Sequence, residues 1–93
     1  MIKVEGYALW RGGVKIGYVE DHHVLDHEGK KVGFCSNDTV YDMGSRKLAR
    51  IEGDYIYFMD SSSKLRIEDN DKDIIGGSLT NAERAAVRIF LGE

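Results

Sequence analysis

Three stretches of this chain can be laid over one another at a spacing of sixteen residues. They are Ile16-Gly17-Tyr18-Val19-Glu20-Asp21-His22-His23-Val24-Leu25-Asp26, Val32-Gly33-Phe34-Cys35-Ser36-Asn37-Asp38-Thr39-Val40-Tyr41-Asp42 and Leu48-Ala49-Arg50-Ile51-Glu52-Gly53-Asp54-Tyr55-Ile56-Tyr57-Phe58. A further step reaches Lys64-Leu65-Arg66-Ile67-Glu68-Asp69-Asn70-Asp71, where the first half of the pattern persists; Lys72-Asp73-Ile74-Ile75 then falls out of phase. A step back aligns Tyr7-Ala8-Leu9-Trp10 with His23-Val24-Leu25-Asp26, so the chain enters through the second half of a unit. A unit this short cannot bury an apolar face alone, and its neighbours must do so by stacking.

Each unit reads as a hairpin. Two short runs rich in β-branched and aromatic residues flank a polar pair, Asp21-His22, Asn37-Asp38, Gly53-Asp54 and, in the last step, Asp69-Asn70. Such pairs tolerate the positive φ that a two-residue turn requires. Proline is absent and glycine occurs eleven times, which leaves the turns to Gly, Asn, Asp and Ser. With these turns Val19 pairs with Val24, Cys35 with Val40 and Ile51 with Ile56 on one face, since side chains alternate with period two. That face also carries Gly17, Gly33 and Ala49. The opposite face carries Ile16, Tyr18 and Leu25, then Val32, Phe34 and Tyr41, then Leu48, Arg50, Tyr55 and Tyr57. A sheet apolar on both faces must be covered on both, or one face must meet another copy. A small residue recurring inside a strand marks the close approach of another group, here expected to be strands converging on a common axis.

Connections between the units are short and contain no crossover helix, so the strands meander antiparallel. The fold expected is mainly β, tandem antiparallel hairpins around a pseudo-symmetry axis over residues 1–77, with a C-terminal helix in 78–93 packed on the same domain. Gly76-Gly77-Ser78 ends the repeat, and Thr80-Asn81-Ala82-Glu83 has capping-box spacing. The helix should run from 81 to about 91, with Ala82, Ala86, Val87, Ile89 and Phe90 in one apolar stripe and Gly92 as C-cap. That stripe either plugs the β core or docks on a second subunit, in which case Val87, Phe90 and Leu91 are the interface residues.

The string Gly29-Lys30-Lys31-Val32-Gly33-Phe34-Cys35-Ser36-Asn37-Asp38-Thr39-Val40-Tyr41-Asp42 resembles the units of the four-fold β-flower domain, a small bacterial and archaeal family of tandem hairpins. The resemblance covers most of the chain to about residue 75. It implies four hairpins about a pseudo-fourfold axis and carries over no established activity. A weaker likeness, through Val14-Lys15-Ile16-Gly17-Tyr18-Val19-Glu20-Asp21 and Val24-Leu25-Asp26, is to the PRC-barrel, an adaptor found beside RNA-processing and photosynthetic proteins.

Composition narrows the function classes. Ninety-three residues make one modest core that buries about 60 to 65% of the unfolded surface. Thirteen basic residues against sixteen acidic ones, a net charge of −3, give no global field to attract phosphate backbones, which disfavours nucleic acid. The single cysteine, Cys35, forms no internal disulfide and cannot supply a Cys-based zinc site. The opening residues lack an apolar signal core, and no later stretch approaches the ~18 apolar residues that span a bilayer. A cytoplasmic location and no membrane are expected.

Chemistry-bearing residues are few. His22, His23 and His27, with Asp21 and Asp26, form the one local cluster of metal-ligand types, but on a strand His23 and His27 share a face while His22 sits in the turn. Solvated turn residues are the plainer account, and no metal or other cofactor is expected. Cys35, paired with Val40, reads as a buried structural thiol. Tyr18, Phe34, Tyr41, Tyr55 and Tyr57, interleaved with Lys30, Lys31, Arg46, Lys47 and Arg50, could form a stacking platform with basic edges, although the repeat explains them as packing. The acidic run at 68–73 lacks the glycine and spaced Glu of a calcium loop. The functional expectation is a non-enzymatic structural or protein-interaction domain that self-associates. A small-ligand or metal-binding protein and a PRC-barrel-like adaptor are the alternatives.

Overall fold

The computed structural model describes residues 1–92. Nine strands follow one another: β1 (Ile2–Glu5), β2 (Ala8–Arg11), β3 (Val14–Glu20), β4 (His23–Asp26), β5 (Lys31–Ser36), β6 (Thr39–Asp42), β7 (Lys47–Glu52), β8 (Tyr55–Phe58) and β9 (Lys64–Arg66). A short helix α1 (Ile67–Asp71), strand β10 (Ile74–Ile75) and helix α2 (Asn81–Leu91) complete the described chain. All ten strands form one sheet in the order β10-β1-β2-β3-β4-β5-β6-β7-β8-β9. Every neighbouring pair is antiparallel except β1 and β10, which run parallel with Ile2 opposite Ile74. No helix among the described residues is long and apolar enough to cross a membrane.

The turn chemistry places the hairpins where the repeat does. Asp21 and His22 both have positive φ, 50° and 63°, as type I′ demands. Asn37 at 54° and Gly53 at 59° take the left-handed conformation at the first turn position. The pairings Val19–Val24, Cys35–Val40 and Ile51–Ile56 are present. Successive hairpins are joined by one recurring bond, in which the amides of Val19, Cys35, Ile51 and Ile67 donate to the carbonyls of Tyr7, His22, Asp38 and Asp54. The repeat thus persists in the backbone as far as Ile67. There it stops: the Asp69-Asn70 pair, expected as a fourth turn, lies inside α1, where Asn70 is buried and its Oδ1 accepts from Arg88 Nη1 at 3.2 Å. With no second apolar run to pair with β9, the segment coils and Ile74 reaches back to β1.

The outer connections repeat as well. In the β4–β5 loop Asp26 Oδ1 accepts from the amides of Glu28 and Lys30, and in the β6–β7 loop Asp42 Oδ1 accepts from those of Gly44 and Arg46. One aspartate organises each loop by satisfying amides that would otherwise need water.

A second recurrence was not read from the sequence. Leu9 lies opposite Gly17 and Trp10 opposite Lys15; Val24 opposite Gly33 and Leu25 opposite Lys31; Val40 opposite Ala49 and Tyr41 opposite Lys47. Ile16, Val32 and Leu48 are therefore extra residues in β-bulges, which bend a strand and re-aim its side chains. This corrects their expected place on the opposite face: all three are half-buried and pack against the core.

Bending in the same sense at each unit curls the sheet. Ten strands about 4.8 Å apart would span more than about 40 Å if flat, yet the longest molecular extent is 33 Å. Helix α2 lies in the resulting concavity, packed on β3 through β7, and α1 bridges β9 and β10 beside it. Leu9, Val24, Val40, Ala49 and Ile56 on the sheet and Ala82, Ala85, Ala86 and Val87 on the helix are all at most 2% exposed. Each buried Leu, Ile or Val contributes about 1.5–3 kcal/mol. Alanines on the helix let its backbone approach the strands. Arg84 ties the helix to β10 by donating to the carbonyls of Ile74 and Gly76.

The small residues inside the strands make room for this helix. A Cβ on Gly33 would collide with the Phe90 ring, and one on Gly17 would meet Leu91 Cδ1 and the Leu25 carbonyl. The close approach expected from neighbouring strands is thus made largely by α2. Of the two places open to the apolar stripe of α2, Val87, Phe90 and Leu91 occupy the one against the chain's own sheet. Val87 is fully buried, and Phe90 and Leu91 pack on the chain's own sheet.

Candidate functional site: the outer face of the sheet

With α2 covering the inner face, the outer face keeps its aromatic residues half-exposed. The pairing register arranges them in rows across the strands. Glu20, His23, Phe34, Tyr41 and Lys47 make one row. Ser36, Thr39, Arg50, Tyr57 and Lys64 make the next. On the other side of the first lies Glu5, Ala8, Tyr18, Leu25 and Lys31. Phe34 and Tyr41 stack with centroids 5.1 Å apart and planes at 13°, and His23 lies 5.6 Å from Phe34. Cations border the rings: Lys15 lies 5.3 Å from Trp10 and 5.1 Å from Tyr18, Arg50 4.6 Å from Tyr57, and Lys64 4.4 Å from Tyr55.

The five aromatics singled out from the sequence, Tyr18, Phe34, Tyr41, Tyr55 and Tyr57, do share this face. Of the cations, Lys31, Lys47 and Arg50 stand on it, while Lys30 and Arg46 lie in the loops and donate their amides to Asp26 and Asp42. Sequence reasoning missed Trp10, His23, Lys15 and Lys64. The signal that would have found Lys15 is its recurrence at sixteen as Lys31 and Lys47, one position before each bulge; the next step lands on Ser63, so Lys64 lies outside it.

The histidines and aspartates that cluster in the sequence are dispersed in the fold. His22 Nδ1 lies 3.0 Å from Glu83 Oε2, at the start of α2. His23 turns to the outer face and pairs through Nδ1 with the Asp21 carbonyl at 2.9 Å. His27 lies 3.6 Å from Glu28 in the loop. Asp26 is committed to its loop amides, and those bonds, that from Lys30 foremost, hold its carboxyl below the usual value of 3.8. Alternation along β4 and the turn between β3 and β4 send consecutive histidines to different surroundings. Among the described residues no group of three or more His, Cys, Asp or Glu side chains is placed to hold a metal ion.

Cys35 is buried beneath α2, and its thiol donates to the Ala82 carbonyl at 3.3 Å. Burial, and secondarily the Glu83 carboxylate, pushes it up to about 12. A thiol so held is almost wholly protonated near neutrality and is a poor nucleophile. Glu83 itself completes the capping box: its Oε1 accepts from the Thr80 amide at 2.9 Å, while Thr80 Oγ1 accepts from the Glu83 amide at 3.1 Å.

Both sheet edges are blunted. Strand β10 has two residues and lies under Arg84, and β9 has three, two of them Lys64 and Arg66. Short charged edges discourage further strand addition.

No family model matches the chain, nor does any curated protein or solved structure.

Proposed function

We propose that this protein is a non-enzymatic interaction module that works through the outer face of its curled sheet, with itself as partner. One observation carries the reading: the inner face is filled by α2, while Tyr18, Leu25, Phe34, Tyr41 and Tyr57 remain half-exposed in one contiguous band on the outer face. Contiguous apolar surface rimmed by charge is characteristic of protein contact surfaces, where aromatic anchors supply most of the binding energy. Against catalysis, Cys35 is a protonated buried thiol and the three histidines have separate local partners. Within this reading the chain is a relative of the tandem-hairpin β-flower domains, with α1 and α2 as its own departures; the sixteen-residue recurrence supports that placement. A lone reduced cysteine is in keeping with the cytoplasm.

Sedimentation equilibrium across a wide concentration range tests the proposal. Wild type should associate reversibly, and Phe34→Ser combined with Tyr57→Ser should remain monomeric with an unchanged far-ultraviolet circular dichroism spectrum. Should the double variant unfold, Arg50→Glu on the same face serves in its place, since Arg50 is exposed. A wild type that stays monomeric at every concentration would remove self-association.

A further inference from the structure

The outer face is electrically polarised along its strands, and we infer from this that two copies dock face to face with their strands antiparallel, about a two-fold axis lying across the strands. The inference rests on the outer-face reading above and adds the orientation.

Because the chain meanders, the two-residue turns at Gly6-Tyr7, Asp21-His22, Asn37-Asp38 and Gly53-Asp54 fall at one end of the strands, while the Gly12-Gly13 turn and the longer connections after β4, β6 and β8 fall at the other. The turn end carries Glu5, Glu20, Asp21, Asp38, Glu52 and Asp54; against them stand Arg66, opposite Tyr55, and the heads of Lys3 and Arg50, each 3.0 Å from Glu5 and Glu52 respectively, which leaves the acids in excess. The opposite end carries Lys15, Lys31, Lys47 and Lys64, joined by Lys30 and Arg46 from the loops. Acids are present there too, but Asp26 and Asp42 direct an oxygen into their own loop amides, which leaves Glu28 and Asp60 against the cations. The repeat enforces this polarity. Glu20 and Glu52 are the last residues of β3 and β7 at the turn end, and Lys31, Lys47 and Lys64 the first residues of β5, β7 and β9 at the other, with aromatic rings between them.

Strand β5 has six residues, so the two rims are about 20 Å apart. That exceeds the screening length of about 8 Å at physiological salt, and each rim acts by its own sign on whatever lies beside it. Copies stacked with strands parallel would set acid on acid and base on base. Antiparallel stacking sets every acidic rim on a basic one and brings the Phe34–Tyr41 band of one copy onto that of the other. A two-fold axis makes the contact isologous and closed, so association stops at the dimer. The charges act chiefly on orientation and rate of encounter, the rings on affinity.

The test uses four charge exchanges on the full chain, each variant checked by thermal melting. Glu20→Lys with Glu52→Lys makes both rims basic; Lys31→Glu with Lys47→Glu makes both acidic. Each pair alone should weaken self-association about tenfold at low salt, with the loss shrinking as salt screens the rims. The variant carrying all four exchanges should dimerise like wild type yet fail to form mixed dimers with it, because antiparallel docking then opposes like charges. Preferential mixing of the fourfold variant with wild type would mean parallel docking and overturn the inference. Dimerisation indifferent to all four exchanges would also overturn it while leaving the outer-face reading intact, whereas a monomeric wild type would remove both.

Discussion

The ring of Phe90, on the last turn of α2, occupies the space that a side chain on Gly33 would fill: a Cβ at that position would fall within overlap distance of Cζ, Cε1 and Cε2. One glycine in β5 thereby sets how deeply the helix sits in the sheet. Gly17 stands in a related position, but its crowding comes from the Leu25 carbonyl as well as from Leu91.

Gly33→Ala should therefore destabilise the fold by about 1–3 kcal/mol through overpacking. Because the obstacle is a side chain, Phe90→Leu in the same chain should recover part of the loss, giving a coupling of about 1 kcal/mol in a double-mutant cycle measured by urea unfolding. Gly17→Ala should cost at least as much, and Leu91→Ala should not relieve it, since the backbone carbonyl remains. Equal rescue in both cycles would contradict the distinction.

Ser45 occupies the position in its loop that Gly29 occupies one repeat earlier, and both have positive φ, 66° and 84°. A side chain in that conformation is strained, so Ser45→Gly should raise stability by about 0.5–1 kcal/mol. Gly29→Ala should lower it. The shift in urea midpoint, at constant denaturant slope, reports both.

The Asp26 carboxyl titrates below 3.8 in the folded protein because loop amides, that of Lys30 first, donate to it. A depressed folded value means that the contribution is present above the unfolded value and is lost as pH falls through the folded one. Asn at this position still accepts the amide bonds but does not titrate. Wild type should be more stable than Asp26→Asn near neutrality, with the difference shrinking below pH 3.8. A difference constant over that range would show that the carboxylate charge plays no part.

Cys35, with its thiol pushed up to about 12, should resist alkylation by iodoacetamide in the native state and react in proportion to the unfolded fraction as urea is added. Rapid labelling without denaturant would show that the helix opens over β5. At the other end of the same contact, Thr80→Ala should cost about 1 kcal/mol by removing the acceptor for the Glu83 amide.

Much of the architecture was legible because it is local. The hairpin register follows from polar pairs that accept positive φ, and from period-two alternation that leaves Val19, Cys35 and Ile51 one choice of partner. The C-terminal helix announced itself through Thr80 and Glu83, whose capping bonds join residues three apart. The outer-face aromatics were identified singly, but their rows were not, because each row joins residues from several hairpins and shifts by one position at every bulge.

As far as β8, the sequence alone determined where the chain reverses at Asp21-His22, Asn37-Asp38 and Gly53-Asp54 and which residues face one another across those turns, since those choices depend on torsion angles and on neighbours within a few positions. Tertiary structure alone decided that α2 fills the concavity and meets Gly33 and Gly17, and that Ile16, Val32 and Leu48 turn toward the core. Those outcomes depend on how bends accumulate over ten strands and on what then fits inside, and no window of sixteen residues contains that sum.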